Sequence, residues 1–438
     1  MTRLWSLRRS QWYSAERLRR QQERRLRAIV THAYAQCSYY RRVFDAAGIL
    51  PTDIGGLNDL TRLPILRRPD VQTHHGELVA ANAHRFHPTP GSTSGTTGIR
   101  LEFVRDRDSL NVGNAALWRF RGWHGIGLRH RLAEVRGSEY FRLPSGALDF
   151  ETVSRSAPNA WTLQLNLISP DPGRRAAVAE ELVRFKPDAI RTGTPMLLAF
   201  LALYLVDHPE IQIRPKVVFA GGERIFPEMR PLFSQAFAAP FVEGYGNWEY
   251  VVFAGECERG RLHIASEVGI VEILREGQPC APGEAGEIVV TNLWNRAFPF
   301  IRYAIGDEGF LEAEPCLCGR GLPTWRLLGG REKDMLVTPT GHLYLPNSIV
   351  ATPRWRDKII GIRFYQERRD AVAVQVVRGA GYTAEDERDL REELGQFFNG
   401  RLAFSIAYYD NLEQTPGGKH RYVVSTVSAD TAIRGAGA

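Results

Sequence analysis

Lysine, cysteine and methionine are scarce in this chain of 438 residues, and no apolar run reaches the roughly eighteen residues that a membrane-spanning helix needs. The lysines are Lys186, Lys216, Lys333, Lys358 and Lys419. Arginine is therefore the default cation, and a lysine in a glycine-rich segment needs a specific reason. The first residues, Met1–Trp5, lead into arginine-rich sequence without the apolar core of a signal peptide. We expect a cytoplasmic protein with no membrane partner.

The formal net charge of +7 is concentrated near the N-terminus, between Glu16 and Arg27. Apolar residues recur on one side of this segment at Leu18, Leu26 and Ile29, which predicts an amphipathic helix packed on the protein. No aromatic side chains alternate with these arginines as stacking platforms, so we expect no nucleic-acid partner. These amphipathic helices are also compatible with a homodimer, which stays an alternative to a monomer.

The few cysteines form a pattern of their own. The spacings C-x₅-H and C-x-C supply three thiolates and one imidazole, a set suited to structural, tetrahedral zinc, at Cys257, His263, Cys316 and Cys318. The C-x-C spacing is tighter than the common C-x₂-C, so reduced cysteines without metal stay the alternative. Cys37 and Cys280 have no visible partner, and we interpret them as buried residues without a chemical role.

A run of small hydroxyl and glycine residues, Gly91–Gly98, predicts a loop whose backbone N–H and side-chain O–H groups surround a polyphosphate. The run lacks the terminal Gly-Lys-Ser/Thr of the Walker pattern and the spacing of the dinucleotide fingerprint. The segment Ile99–Val104 alternates apolar and polar residues, as a strand does. A flexible surface loop is the alternative interpretation of the run by itself.

Strand and helix patterns alternate along most of the chain, which predicts an α/β fold. Buried strands are expected at Lys216–Ala220 and Glu287–Thr291. We expect a large multilayer N-terminal domain of sheets and flanking helices over residues 1–330, and a small mobile α/β domain over residues 331–438 with a disordered tail after about 428. The small domain has predicted strands at 359–366, 371–377 and 404–409, and a helix over 384–398 with Thr383 as its N-cap and Asp386 three residues on.

Five segments follow one another along the chain, namely Ser92–Gly98, Glu243–Glu249, Arg302–Asp307, Gly330–Asp334 and Thr415–Arg421. In this order they resemble the adenylate-forming superfamily of acyl-CoA synthetases. The phenylacetate-CoA ligase branch and its capsule-biosynthesis relatives look most similar, because of the N-terminal helices, the tryptophans of Trp118–Gly125 and the cysteines near residue 317. The resemblance covers roughly residues 10 to 425.

The resemblance implies a ligase that uses ATP and Mg²⁺. The carboxylate of an acid attacks the α-phosphate of ATP to give an acyl-adenylate and pyrophosphate, and the thiol of coenzyme A then attacks the mixed anhydride. An aryl or similarly flat carboxylic acid is the expected substrate. Between the two half-reactions, the C-terminal domain of this superfamily rotates.

The resemblance also implies a nucleotide site. The β- and γ-phosphates would be held by Ser92, Thr93, Ser94, Gly95, Thr96, Thr97 and Gly98. Adenine would stack on Tyr245, with the backbone of Gly221 and Gly222 on its other side. Asp307 would accept the ribose hydroxyls and Glu249 would hold Mg²⁺. The site is completed by Glu223, Gly246 and Arg331.

Lys419 matches the catalytic lysine of the superfamily, whose ammonium would bridge the carboxylate and the α-phosphate. Asp334 matches the hinge, and Gly341 matches the glycine that lines the tunnel for the CoA arm. From motif adjacency, we expect the acyl pocket among Trp123, His124, Arg136, Gly137, Ala220 and Trp248.

The sequence departs from the family pattern at several positions. Trp248 replaces the small hydroxyl residue that usually precedes the glutamate, Ile99 and Arg100 replace the usual Lys-Pro, and Ala304 and Ile305 replace a polar pair. Two alternatives therefore stay open. The chain could pass the acyl group to an amine or a carrier-protein thiol, or it could be a nucleotide-binding scaffold without catalysis.

Overall fold

The computed structural model describes residues 2–93, 101–136, 152–156, 161–167, 172–193, 195–222, 225, 229–328, 335–339, 341–344, 358–379, 381–412 and 423–427. Within them the helices are α1 (Thr2–Ser10), α2 (Ala15–Gln36), α3 (Ser38–Ala46), α4 (Arg68–Thr73), α5 (His75–Leu78), α6 (Arg107–Trp123), α7 (Pro172–Phe185), α8 (Pro195–Asp207), α9 (Met229–Phe237) and α10 (Ala384–Phe398). Short 3₁₀ turns occupy Pro51–Asp53, Leu57–Arg62 and Ala83–Phe86.

The strands of the first half are β1 (Thr89–Thr93), β2 (Leu101–Arg105), β3 (Leu132–Arg136), β4 (Ser154–Ser156), β5 (Thr162–Asn166), β6 (Ala189–Thr192), β7 (Val217–Ala220), β8 (Phe241–Gly246), β9 (Phe253–Glu256), β10 (Leu262–Ile264) and β11 (Gly269–Arg275). Those that follow are β12 (Gln278–Pro279), β13 (Gly286–Asn292), β14 (Tyr303–Leu311), β15 (Thr324–Leu327), β16 (Met335–Thr338), β17 (Gly341–Tyr344), β18 (Ile359–Arg368), β19 (Ala371–Arg378), β20 (Ala403–Tyr408) and β21 (Val423–Ser425). The predicted α/β fold class is confirmed.

One large sheet organises the first three quarters of the chain. Its thirteen strands run in the order β12-β11-β13-β14-β15-β10-β9-β8-β7-β6-β3-β5-β4. Strands β3, β6, β7 and β8 are parallel neighbours, whereas β8 pairs antiparallel with β9. The parallel strands therefore end together, and ligands of α/β proteins collect at such ends.

The N-terminal helices pack as the amphipathic pattern predicts. Leu18, Leu26, Ile29 and Val30 of α2 are all buried, and the helix begins after Ser14, whose side chain accepts the backbone N–H of Arg17. The helix is longer than the charged segment that predicted it. Most of α2's buried residues join one core with strands β11, β13 and β14.

The smaller α/β module contains a four-stranded sheet with the order β20-β19-β18-β21. Its core packs α10 on this sheet through Leu390, Leu394, Phe364 and Val374. Gln366 holds the β16–β17 hairpin to this module, because its amide oxygen accepts the N–H of Val337 at 2.8 Å. The predicted strands and the helix over Ala384–Phe398 are confirmed, as is the Thr383 cap.

The chain divides into two compact units, one formed by Met1–Val135, Ser154–Leu165 and Ala179–Gly329, the other by Arg136–Val153, Asn166–Val178 and Gly330–Ala438. The predicted division into residues 1–330 and 331–438 stays a prediction. Among the described residues, no helix is both long enough and apolar enough to cross a membrane.

Candidate active site and cysteine–histidine cluster

Glycines close the gap between the ends of parallel strands β6, β7 and β8. A Cβ on Gly221 would lie 2.3 Å from the carbonyl oxygen of Gly244, and one on Gly222 would lie 2.7 Å from that of Gly193. Gly222 also has a φ of +86°, which side chains rarely adopt. Only glycine fits at the two predicted adenine-lining positions, and the cause visible in the structure is the close approach of neighbouring backbones.

Tyr245 and Asp307 are joined by a direct hydrogen bond. The Tyr245 hydroxyl donates to Asp307 Oδ2 at 2.5 Å, and the Tyr245 ring meets the Trp325 ring edge-on with centroids 5.1 Å apart. Burial and the neighbouring carboxylate raise the pKa of Tyr245 well above its ordinary value, so the phenol remains a donor. The structure thus brings the predicted adenine platform and the predicted ribose ligand together.

A buried ion pair lies directly before the strand that carries Asp307. Arg302 is almost fully buried and donates through Nη2 and Nε to the two carboxylate oxygens of Glu272, at 3.0 and 3.1 Å. Its Nη1 donates to the carbonyl of Leu63 at 2.6 Å. Ala304, one of the departures from the family pattern, packs in the core against Val289, which explains why that position is apolar.

Glu249, the predicted Mg²⁺ ligand, is only 5% exposed. Burial raises its pKa, although the charge of Arg68 and the hydroxyl of Tyr303 oppose this shift. The Tyr303 hydroxyl lies 3.5 Å from Glu249 Oε1, at the limit of a hydrogen bond. A desolvated carboxylate near one arginine is poised to gain from a divalent cation.

The predicted phosphate loop begins in a hairpin. Ser92 and Thr93 lie on β1 and pair with Glu102 and Leu101 of β2. A Cβ on Gly91 would lie 2.4 Å from the ring of Phe103, which explains the glycine at that position. The strand that is predicted to begin at Ile99 begins, among the described residues, at Leu101.

Several predicted residues lie outside the described part of the chain. They are Ser94, Gly95, Thr96, Thr97, Gly98, Gly137, Glu223, Arg331, Asp334 and Lys419. Gly246 ends β8 directly after Tyr245. Gly341 begins β17 and pairs with Thr338 across the hairpin. The roles assigned to all of these residues stay predictions.

Two members of the predicted acyl pocket lie on the other side of the sheet from Ala220. Trp123 and His124 end helix α6, and His124 packs against Phe219, one position before Ala220. Because side chains alternate along a strand, Ala220 points to the other face of the sheet from Phe219. The acyl-pocket role of Trp123 and His124 therefore stays a prediction.

The remaining described members of the predicted pocket lie at or after the ends of the parallel strands, and their role stays a prediction. Arg136 ends β3. Trp248 follows β8 and is 45% exposed, and its carbonyl accepts a long 3.4 Å hydrogen bond from Arg105 Nη1. Trp248 is thus adjacent in sequence to Glu249 but far more exposed.

The four residues predicted to bind zinc form a cluster, and their ligand atoms all lie within 4.8 Å of one another. The sulfurs of Cys257 and Cys316 are 3.6 Å apart, and Cys318 Sγ is 3.2 Å from His263 Nε2. A disulfide has an S–S distance of about 2.05 Å, whereas zinc bonds of about 2.3 Å place two tetrahedral sulfurs about 3.8 Å apart. The spacing therefore fits a tetrahedral metal site.

The surroundings of the cluster orient the histidine. His263 Nδ1 lies 2.9 Å from the carbonyl oxygen of Leu322, which can accept only if Nδ1 carries the proton. The lone pair of Nε2 then faces the three sulfurs. Trp123, which is also predicted for the acyl pocket, meets the His263 ring edge-on at 5.8 Å and so lies beside this cluster.

Sequence reasoning missed several residues at the site. Leu66 forms a parallel bridge to Tyr303, and this contact carries Arg68 toward Glu249. Gly193 and Gly244 are the backbones that exclude side chains from Gly222 and Gly221. No local pattern marks these residues, because each acts on a partner that is distant in sequence.

Solved structures share the fold of this chain. The chain matches a 2-hydroxyisobutyryl-CoA ligase in complex with 2-HIB-AMP and CoA in the thioesterification state with a TM-score of 0.64 at 20% identity, covering 95% of this chain and 91% of that chain. The postadenylation state of that enzyme gives a TM-score of 0.61 at 18% identity, covering 94% and 90% of the two chains. The fold is that of the adenylate-forming acyl-CoA ligases.

Curated proteins with similar sequences indicate which branch of ligases this chain resembles. Over 339 residues the chain is 27% identical to the phenylacetate-coenzyme A ligase of Thermus thermophilus, covering 75% of this chain and 74% of the relative. Over 373 residues it is 21% identical to Protein CapK of Staphylococcus aureus, covering 84% and 81%. No family model matches the chain. These similarities confirm the predicted resemblance to phenylacetate-CoA ligases and their capsule-associated relatives.

Proposed function

We propose that this chain is an AMP-forming acid–CoA ligase, which activates a carboxylic acid as its acyl-adenylate and then transfers the acyl group to coenzyme A. The observation that carries the proposal is the Tyr245–Asp307 hydrogen bond beside the glycine-lined strand ends. It joins two of the family's nucleotide-binding motifs. The relatives in sequence include phenylacetate-CoA ligases, which supports the same activity here.

In the proposed nucleotide site, Asp307 accepts the ribose hydroxyls with the oxygen that Tyr245 leaves available. Gly221 and Gly222 let adenine approach the backbone. Glu249 holds Mg²⁺, which would neutralise charge on the phosphates as pyrophosphate leaves. The loop after β1 supplies N–H and O–H donors to the leaving group, and Lys419 stabilises the charge that develops at the α-phosphate.

The substrate is proposed to be an aryl or similarly flat carboxylic acid. The sequence relatives include phenylacetate-CoA ligases, which supports this class of acid. Trp248, next to the proposed Mg²⁺ ligand, adds a large ring where a flat acid could stack. The relatives also support CoA as the acceptor.

We further propose that Cys257, His263, Cys316 and Cys318 hold a structural zinc ion. The donor set and the fixed histidine tautomer fit zinc, and four protein ligands leave no open position for chemistry. The ion would join the turn after β9 to the loop before β15.

The test is acid-dependent ATP–pyrophosphate exchange across a panel of aryl, indolyl and aliphatic acids. We expect exchange with one class of acid and its loss in Lys419→Ala. Lys216→Ala is the matched control, because Lys216 pairs with Asp188 on the surface and should leave the exchange unchanged. ATP binding without exchange for any acid would overturn the proposal in favour of a scaffold.

A second assay identifies the acceptor. The acid that supports exchange is incubated with ATP and coenzyme A, and thioester formation is measured by mass spectrometry. Thioester in the wild-type protein supports the ligase. Exchange without thioester would mean that the acyl group passes to an amine or a carrier-protein thiol instead.

A further inference from the structure

A basic cavity of about 120 Å³ lies between the N-terminal helices and the body of the larger unit. Among its lining residues are Arg3, Ser6, Gln21, Arg24, Arg25 and Trp294. It shares none of these residues with the nucleotide site or the cysteine–histidine cluster. A single buried water needs about 10–15 Å³ of such volume, so this cavity has room for several waters or for one small polyatomic ion.

Two guanidinium groups lie over one indole ring at this cavity. Arg25 Cζ is 3.5 Å from the ring centroid of Trp294, and Arg3 Cζ is 4.2 Å from it. A cation–π contact uses the face of a guanidinium group, so its in-plane N–H donors can still reach an anion. Among the described residues, no hydrogen bond or ion pair engages the Arg24 and Arg25 side chains, although the charge of Asp108 acts on Arg25 from a greater distance.

The carboxylates beside the cavity are already engaged. Asp108 pairs with Arg296 at 3.1 Å and more loosely with Arg3 at 3.6 Å. Glu267 receives both Nη atoms of Arg119, at 2.7 and 3.1 Å. The single negative charge of Asp108 can neutralise only one of its two arginine neighbours, so the cavity keeps an excess of positive charge.

The positive charges of the arginines at the cavity repel one another. Burial, together with the charges of Arg3 and Arg24, lowers the pKa of Arg25 to about 10. Partial burial of Arg25 beside the charges of the exposed Arg3 and Arg24 costs free energy unless an opposite charge is supplied. A bound anion of high charge would supply it, and guanidinium groups suit phosphate oxygens through paired N–H donors.

We propose that this cavity binds a phosphate or pyrophosphate group, with Arg3 and Arg25 as its principal ligands and Arg24 as a further donor. The excess of cations favours a multiply charged phosphate over a monoanionic carboxylate. The group could be a free ion or the terminal phosphate of a larger molecule, since the chemistry recognised is the same. The proposal does not depend on the ligase activity.

The test is isothermal titration of the full chain with sodium pyrophosphate and with inorganic phosphate, at constant ionic strength set by chloride. We expect binding to the wild-type protein and at least a tenfold weaker affinity for this site in Arg25→Gln. Arg24→Gln, which changes an exposed side chain, should weaken binding in the same direction and checks the result if Arg25→Gln folds poorly.

Arg20→Gln is the matched control. Arg20 lies on the same helix and pairs with Glu16, and its substitution removes the same charge as Arg25→Gln. Its affinity should equal that of the wild type. Circular dichroism and melting in chloride check that each variant folds. Equal pyrophosphate and phosphate affinities in Arg25→Gln, Arg24→Gln and the wild type, or no binding to any of them, would overturn the proposal.

A comparison of coenzyme A with its 3′-dephospho form separates the two sources of the phosphate. Binding of coenzyme A that needs both its 3′-phosphate and Arg25 supports a site for the terminal phosphate of a larger molecule. Pyrophosphate binding that needs Arg25, with no such dependence for coenzyme A, supports a free ion. Either result sustains the proposed chemistry.

Discussion

The hydroxyl of Tyr245 donates a 2.5 Å hydrogen bond to Asp307 Oδ2, across 62 residues of sequence. Asp307 is thereby fixed in position while one of its oxygens keeps free acceptor capacity. The same tyrosine forms the ring on which we propose that adenine stacks. One side chain thus links the base and ribose parts of the proposed nucleotide site.

Removal of that hydroxyl should weaken ATP binding. A hydrogen bond to a charged group contributes about 1.5–3 kcal/mol, so Tyr245→Phe should raise the KM for ATP by about tenfold or more with a smaller change in kcat. The measurement is ATP–pyrophosphate exchange as a function of ATP concentration. Tyr365→Phe, which removes an exposed hydroxyl bonded to Glu367, should behave as the wild type. An unchanged KM in Tyr245→Phe would remove the support for Asp307 as the ribose ligand.

The close approach of strand ends makes Gly221 intolerant of a side chain. A Cβ there would meet the Gly244 carbonyl at 2.3 Å, and backbone cannot swing aside as a side chain can. We expect Gly221→Ala to lower the melting temperature by several degrees and to abolish measurable AMP binding. Gly395→Ala, on α10 with no atom within 4 Å of the added carbon, should melt at or slightly above the wild-type temperature. Normal AMP binding by Gly221→Ala would contradict the placement of adenine at this backbone.

Metal content tests the cysteine–histidine cluster. Protein purified without chelator should contain about one zinc per chain by elemental mass spectrometry, and Cys318→Ser should lose it. Loss of a metal that contributes a few kcal/mol should lower the melting temperature by about 5–10 °C. Cys280→Ser, outside the cluster, should keep the zinc. Stability that is the same with and without metal would favour reduced cysteines with no structural ion.

The N-terminus of α10 predicts a specific pH dependence. Asp386 accepts a 2.5 Å hydrogen bond from Lys358 Nζ and two more from Thr383, and these donors lower its pKa from 3.8 to about 2. A carboxyl group whose pKa is lowered by folding stabilises the folded state at every pH above its pKa in the unfolded chain. This contribution is lost as the pH falls from the unfolded-state pKa to the folded-state pKa. Asp386→Asn should therefore unfold at a lower urea concentration than the wild type at pH 7, and the difference should shrink below about pH 4. Asp370→Asn, at an exposed pair with Arg368, is the control and should change little.

Trp248 should limit the acids that are accepted. If its ring borders the acyl group, Trp248→Thr should widen the range of acids that support exchange and raise the KM for flat aryl acids. Trp161→Thr makes the same substitution at an equally exposed tryptophan and should leave the preference unchanged. The same acid profile in Trp248→Thr and the wild type would place the pocket elsewhere.

The sequence by itself determined the fold class and most of the elements that its periodicity marks. The helix Ala384–Phe398 with its Thr383 cap is marked by residues that are close together in sequence. The same holds for the strands Val217–Ala220 and Gly286–Asn292. It also predicted which cysteines and histidine would meet, because zinc ligands have a recognisable chemistry even when 59 residues separate Cys257 from Cys316.

Only the tertiary structure decided which residues surround these motifs. Helix α6 packs Trp123 and His124 against the face of the sheet that Phe219 occupies, whereas Ala220 points to the other face. The parallel bridge of Leu66 to Tyr303 brought Arg68 toward Glu249, and backbone approach fixed Gly221. Such contacts depend on register and on side-chain direction between distant segments, which no local pattern in a single sequence records.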